Sequence, residues 1–150
     1  MDRLALARAS AEAMWAGDAV SKGLGMEVVS VEPGRAVLAL TVTEAMLNGH
    51  STCHGGVIFT LADSALAFAC NSHNQKSVAY HCAITFVASA RLGDRLEARA
   101  VEISRVGRTG IYDVRVTRGP GEVIAEFRGH SRTIEGKLVP GTGSPDHPSS

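Results

Sequence analysis

Apolar and polar positions alternate along this chain with periods that change from segment to segment, and the periods predict its elements. Residues 2–22 carry Ala5, Ala7, Ala9, Ala11, Ala13, Ala16 and Ala19. Alanine is the strongest helix former, so propensity predicts a helix, with Leu4, Ala11, Met14 and Trp15 as a modest apolar stripe. Two strand-like runs follow at 26–32 and 35–43, and Pro33-Gly34 between them signals a hairpin turn. In the second run Val37, Ala39, Thr41 and Thr43 share one face, and Leu38, Leu40 and Val42 share the other. Residues 44–54 read as a polar loop containing Asn48-Gly49.

Residues 56–71 then lose almost every polar position. Val57, Ile58, Leu61, Ala65, Leu66, Phe68 and Ala69 predict a helix that is apolar nearly all round and belongs inside the protein. Strand runs follow at 78–90, 94–105, 109–118 and 122–134, separated by Gly93-Asp94, Gly107 and Gly119-Pro120-Gly121. Short linkers make successive strands antiparallel neighbours in the simplest arrangement. The pattern is an α+β domain in which a curved antiparallel sheet wraps one long helix. By segment it reads as an N-terminal helix over 1–22, the main domain over 23–135 and a tail over 136–150. From Gly141 onward the tail is rich in Gly, Ser and Pro and is expected to be disordered.

Composition narrows the function. The 150 residues suffice for one domain with a real core. Fifteen basic residues balance fifteen acidic ones, which excludes a strongly basic nucleic-acid binder. No signal peptide is evident, and an odd count of three cysteines is expected to stay reduced, in a cytoplasm. The longest apolar run, residues 55–70, is short for a membrane span and has Asp63 at its middle.

That aspartate is the sharpest chemical signal. It is the only ionisable side chain in a helix that reads as buried, and an unpaired carboxylate there must find donors, lose its charge or face a cavity. The second signal is the segment from Asn48 to Gly56, which ends in His54-Gly55-Gly56 at the helix start. Glycines let a ligand approach the backbone, and free N–H groups at a helix N-terminus favour negative charge developing on a carbonyl oxygen. Asp63 lies about 10–12 Å along the helix from that start at ~1.5 Å per residue. One subunit cannot easily place both on one reacting carbon, whereas two antiparallel helices across a two-fold can, so a composite site at an isologous dimer interface is expected. A Cys53-His54 nucleophile pair and a zinc site recruited from the scattered His and Cys residues are weaker readings, because neighbouring side chains seldom face each other and no zinc spacing is present.

The run Met46-Leu-Asn-Gly-His-Ser-Thr-Cys-His-Gly-Gly-Val-Ile-Phe-Thr-Leu-Ala-Asp-Ser-Ala-Leu-Ala-Phe-Ala-Cys-Asn-Ser72 resembles the hot-dog-fold acyl-CoA thioesterases of the PaaI, or phenylacetate-degradation, family. The likeness continues through Ile84-Thr85-Phe86, Gly93-Asp94, Gly110-Ile-Tyr-Asp113 and Phe127-Arg-Gly129, and spans about residues 20–135. The resemblance implies a hot-dog fold in dimers paired into tetramers, and hydrolysis of aryl- or hydroxyarylacetyl-CoA thioesters. It assigns general-base or nucleophile chemistry to Asp63 across a subunit interface and carbonyl polarisation to the Gly55 N–H. Asn48 would assist at the carbonyl, and His54 would order the loop. Some relatives place a water-orienting hydroxyl on the strand after the helix, where Ser77 and Tyr80 are the candidates here. Gly56 and the cations Arg108 and Arg128 are expected at the substrate, whose CoA phosphates need positive charge nearby; Arg105 and Arg132 lie on or beside the same late strands. The expected partners are acyl-CoA and further copies of the chain, with no nucleic acid or membrane, and no metal or redox cofactor. A dehydratase or hydratase on the same fold, or a non-catalytic acyl-CoA sensor, are the alternatives.

Overall fold

The structure, a computed structural model, describes residues 1–141. Helix α1 (Arg3–Gly17) begins where the Asp2 carboxylate accepts the Ala5 N–H at 2.7 Å. It does not run on to residue 22. The helix stops at Gly17, and Asp18 caps a separate short helix α2 (Ala19–Gly23), accepting the Ser21 N–H at 3.0 Å and the Ser21 hydroxyl at 2.7 Å. A glycine followed by a side chain that prefers the N-cap outweighs alanine propensity at this point. The buried face of α1 is Leu6, Ala7, Ser10 and Ala11, and Leu4 lies outside it. Three small side chains there let the helix sit close, and Trp15 rests on Phe68 with ring centroids 6.4 Å apart.

Strands β1 (Glu27–Glu32) and β2 (Arg35–Thr41) form the expected hairpin, with Gly34 at φ +73° in its turn. Positions 36–40 of β2 are all buried, so its two faces are not one wet and one dry. A 3-10 turn (Glu44–Met46) and a folded loop lead into helix α3 (Gly55–Cys70). Strands β3 (Ser77–Phe86), β4 (Arg95–Val106), β5 (Thr109–Arg118) and β6 (Glu122–Thr133) complete one antiparallel sheet in the order β1-β2-β4-β5-β6-β3.

This order corrects the expectation that successive strands are neighbours: β3 pairs with β6 alone, and β4 lies between β2 and β5. Hydrogen bonds in the connection fix the detour. The N–H groups of Val87 and Ala88 donate to the Ile124 carbonyl, releasing the chain at the β6 side of the sheet. At the other end Gly93 and Asp94 exchange backbone bonds with Val42, and Arg118 clasps the Asp94 carboxylate at 2.6 Å.

Helix α3 packs its apolar side on β2, β4, β5 and β6. The fit is closest at Gly129 of β6, where a methyl group would meet Leu66 Cδ2 at 2.5 Å. Beyond the helix, buried His73 meets Glu102 at 2.9 Å, and the Tyr112 hydroxyl donates to the same carboxylate oxygen at 2.7 Å. Asn74 accepts the N–H groups of Leu138 and Val139 at 3.0 and 2.8 Å, which fixes the start of the 136–150 segment; residues 142–150 lie outside those described. Among the described residues no helix is long and apolar enough to cross a membrane.

Candidate active site

The loop before α3 is held by its own backbone and by Asn48. Leu47 and Cys53 form a bridge, the His54 N–H donates to Met46 O at 2.8 Å, and the Cys53 N–H donates to Ala90 O at 2.8 Å. Inside this clip the Asn48 Oδ1 accepts the N–H groups of His50 (2.9 Å) and Thr52 (3.2 Å), while its Nδ2 donates to Thr52 Oγ1 at 3.0 Å. Asn48 thus organises the turn much as an Asx motif does, and one of its amide hydrogens remains for another acceptor. His54 is the N-cap of α3, its Nδ1 accepting the Gly56 N–H at 2.8 Å. That bond places the proton of the neutral ring on Nε2.

With Gly56 engaged by His54, the N–H of Gly55 stands at the positive end of α3 with no hydrogen-bond partner among the described residues. The ring tip of Phe86, the last residue of β3, lies against Gly55 on the side where a Cβ would stand. A Cβ added to Gly55 would meet Phe86 Cζ at 3.0 Å and its two Cε atoms at 3.3 and 3.4 Å. The sequence reading named Phe86 only within the run that carries the family likeness and gave it no role. The signal was present in the strand alternation, which puts Ile84 and Phe86 opposite Phe127 and Ala125 on the helix side of the sheet.

Asp63 follows Gly55 by about two turns at ~3.6 residues per turn. Helix α3 is not sealed all round. Gly56 is exposed, and Phe59, Thr60, Asp63 and Ala67 are only partly buried, a stripe at three- and four-residue spacing that leaves one side of the helix open. The Asp63 carboxylate has no hydrogen bond or ion pair among the described residues, and burial raises its pKa above the ordinary aspartate range. Burial raises the thiols of Cys82, on β3, and of Cys70, the latter up to about 12, and the Asp63 charge acts to raise both further. Helix α3 lies against β3, whose outer edge pairs with no strand among the described residues. Within one chain Gly55 and Asp63 line the same side of α3 but stay about 12 Å apart along it, at ~1.5 Å per residue.

Comparison with known proteins settles the family. The sequence profile of the thioesterase superfamily matches residues 50–125, which begin just after Asn48 and include the end of the loop, all of α3 and β3. The acyl-coenzyme A thioesterase PaaI of Escherichia coli is 43% identical over 130 residues, covering 87% of this chain and 93% of that protein. The chain belongs to the thioesterase superfamily. The structure of E. coli PaaI superposes with a TM-score of 0.89 at 41% identity, covering 91% of this chain and 99% of that one. A Streptococcus mutans protein solved bound to acetyl-CoA matches with a TM-score of 0.71 at 28% identity, covering 75% of this chain and 90% of that one. The fold is the hot-dog fold, and the chain is a PaaI-like thioester hydrolase.

In this thioesterase the remaining candidates lie apart from Gly55. Arg128 points outward from β6, gripped by Asp113 through two bonds of 2.6 and 2.9 Å. Arg108 is in the β4–β5 turn, sharing a small cleft with Cys70 at the far end of α3. Ser77 sits at that same end, its hydroxyl donating to Gln75 O and its N–H to Asn71 Oδ1. Tyr80, at a bulge in β3, lies under Arg132 on the outer face, 5.2 Å from the guanidinium carbon to the ring centroid. A groove of about 410 Å³ between α1 and β1, lined by Trp15, Met26 and Val28, lies at the opposite edge of the sheet from β3.

Proposed function

We propose that this thioesterase hydrolyses acyl-CoA esters, arylacetyl- and hydroxyarylacetyl-CoA among them, at a site completed by a second copy of the chain. One observation carries this reading. A free N–H at the start of α3 and an unpartnered carboxylate on the same open stripe are the two halves of a thioester hydrolase, yet they lie too far apart for one carbonyl. Edge-to-edge pairing of β3 with β3 of a second copy supplies the missing closeness. The ten-residue edge exposes Val78, Tyr80 and Phe86, and a strand edge of that length seeks a partner. An antiparallel pairing about a two-fold lays the two α3 helices side by side and head to tail, bringing Asp63 of the partner subunit toward Gly55. Two such dimers would pair into the tetramer.

In this scheme the Gly55 N–H and the α3 dipole hold the carbonyl oxygen as it gains charge, with Asn48 donating its second amide hydrogen. His54 keeps the loop in register through Gly56. Asp63 then removes a proton from water as it attacks the carbonyl carbon, or itself attacks to form an acyl anhydride that water opens. Either way the thiolate of CoA leaves, the free acid forms, and no metal or redox group takes part. Among the candidate cations, Arg108 has the better claim to a CoA phosphate, because Arg128 is already paired with Asp113.

The test is thiol release from phenylacetyl-, hydroxyphenylacetyl-, benzoyl- and short- and medium-chain acyl-CoA, each run beside Asp63→Asn. Release that depends on Asp63 and is fastest on an aryl ester supports the proposal. Equal release by the variant, or release from none of the esters, sinks it.

A further inference from the structure

We infer that Phe86 is a specificity-determining residue, forming the wall on which the apolar acyl group of the substrate packs beside the thioester carbonyl. The inference rests on the proposed role of the Gly55 N–H. Phe86 ends β3 on the helix side of the sheet, where alternate side chains enter the core, yet it is 50% exposed. The reason is its position beyond the first turn of α3. Its ring tip faces Gly55, with Cζ and both Cε atoms 3.0–3.4 Å from where a Cβ would stand. The half-exposed ring thus stands close to a residue whose N–H has no partner among the described residues.

A carbonyl oxygen accepting that N–H at about 2.9 Å has its carbon, and the first atoms attached to it, within contact reach of the ring. Two arms leave a thioester carbon. The pantetheine arm carries amides that need donors and acceptors, and the ring offers none. The acyl arm is apolar, and the ring's surroundings are apolar too: Ile84 precedes it on the same face, and Phe59, one turn along α3, packs edge-on against Phe127 at 5.3 Å. The acyl arm therefore takes the Phe86 side. An aromatic acyl group gains edge-to-face contact there that an aliphatic chain of similar size does not.

The experiment measures kcat/KM for phenylacetyl-, hexanoyl- and acetyl-CoA in the wild type and in Phe86→Leu, Phe86→Ala and Phe86→Trp, with sedimentation confirming the same assembly for each. The phenylacetyl-to-acetyl selectivity should fall at least tenfold in Phe86→Ala. Phe86→Leu should lower phenylacetyl relative to hexanoyl at least threefold, and it carries the test if the alanine variant loses its assembly. An equal loss on all three esters, or no loss, overturns the inference. Calorimetry with the phenethyl- and ethyl-CoA thioethers, which cannot be hydrolysed, separates the two readings. If the wild type releases no thiol, the proposed function fails, while the thioether binding ratio still judges Phe86: a tenfold fall in Phe86→Ala supports the wall, and an unchanged ratio removes it.

Discussion

Replacing Gly55 with proline isolates the proposed carbonyl donor with little disturbance of the fold. Gly55 is the first residue of α3, the one helical position where proline is favoured, so the penalty of about 3 kcal/mol for proline inside a helix does not apply. The N–H that proline lacks has no partner to lose among the described residues. The residue before it is also suited, since His54 has φ −59° and ψ 134°, the extended region proline demands of its predecessor. The steric cost is a Cβ at 3.0 Å from Phe86 Cζ, against an ordinary contact of 3.4 Å or more. A half-exposed ring can yield the few tenths of an ångström required. Gly55→Ala introduces the same Cβ and keeps the N–H, so it is the matched control. We expect the two variants to melt within about 4 °C of each other, corresponding to roughly 1 kcal/mol in a chain of this size. In thiol release Gly55→Pro should fall below Gly55→Ala by about 10²–10³ in kcat, the loss typical of one oxyanion donor. Turnover within threefold of the alanine variant, at matched melting temperature and assembly, would refute the donor role.

Other outcomes follow from the same structure. Asp63→Asn should abolish turnover by several orders of magnitude while raising the melting temperature, because it removes an unpartnered carboxylate that burial disfavours. The raised pKa means that the folded state holds this proton more tightly than the unfolded one. The stability advantage of the variant should therefore be absent in strong acid and grow as pH rises through the ordinary aspartate range to the raised value, which melting curves against pH will show. The wild-type rate should decline as pH falls through that same raised value, since base and nucleophile both need the ionised form. Gly129→Ala should destabilise by about 1–3 kcal/mol through its clash with Leu66, and Leu66→Ala in the same chain should cost less than the two changes summed, as measured by urea unfolding. Glu102 is held below the usual glutamate range, first by its bond to His73 and then by that to Tyr112. Its contribution is present above the unfolded pKa and lost as pH falls through the folded one; Glu102→Gln should lower stability by about 1–2 kcal/mol at neutral pH and flatten that acid limb.

Local chemistry made much of this molecule legible in its sequence. The Pro33-Gly34 turn, the apolar run of α3 and the β4–β5–β6 meander are each written in consecutive residues, and the strand bounds there differ from the expected ones by a residue or two. Asp63 was visible as the single charge in an apolar helix. The place of β3 was not, because the bonds that divert the chain after Phe86 go to Ile124 and Val42, far away in sequence. The same holds for Arg128: its ion-pair partner in the sheet, Asp113, is set by the β5–β6 register, which no local pattern encodes. The openness of one side of α3 was hidden for a different reason. Hydrophobic periodicity reports how much of a helix is apolar, and half-buried Phe59 and Ala67 look the same in a core as beside an incomplete groove.

The sheet order also carries a consequence for how the chain reaches this shape. Strands β4, β5 and β6 can zip as successive hairpins, whereas β3 must find β6 across an intervening stretch that includes both other strands. Such a pairing closes a large loop before it gains any bond, so it belongs late on the folding route. Until β3 docks, α3 has no flank on that side and Gly55 has no aromatic cover. The element that finishes the sheet is then the one that finishes the candidate site, and a full-length chain whose β3 has not yet docked would be paired through β4–β6 with that site still incomplete. Hydrogen exchange should find the β3 amides among the first of the sheet to open.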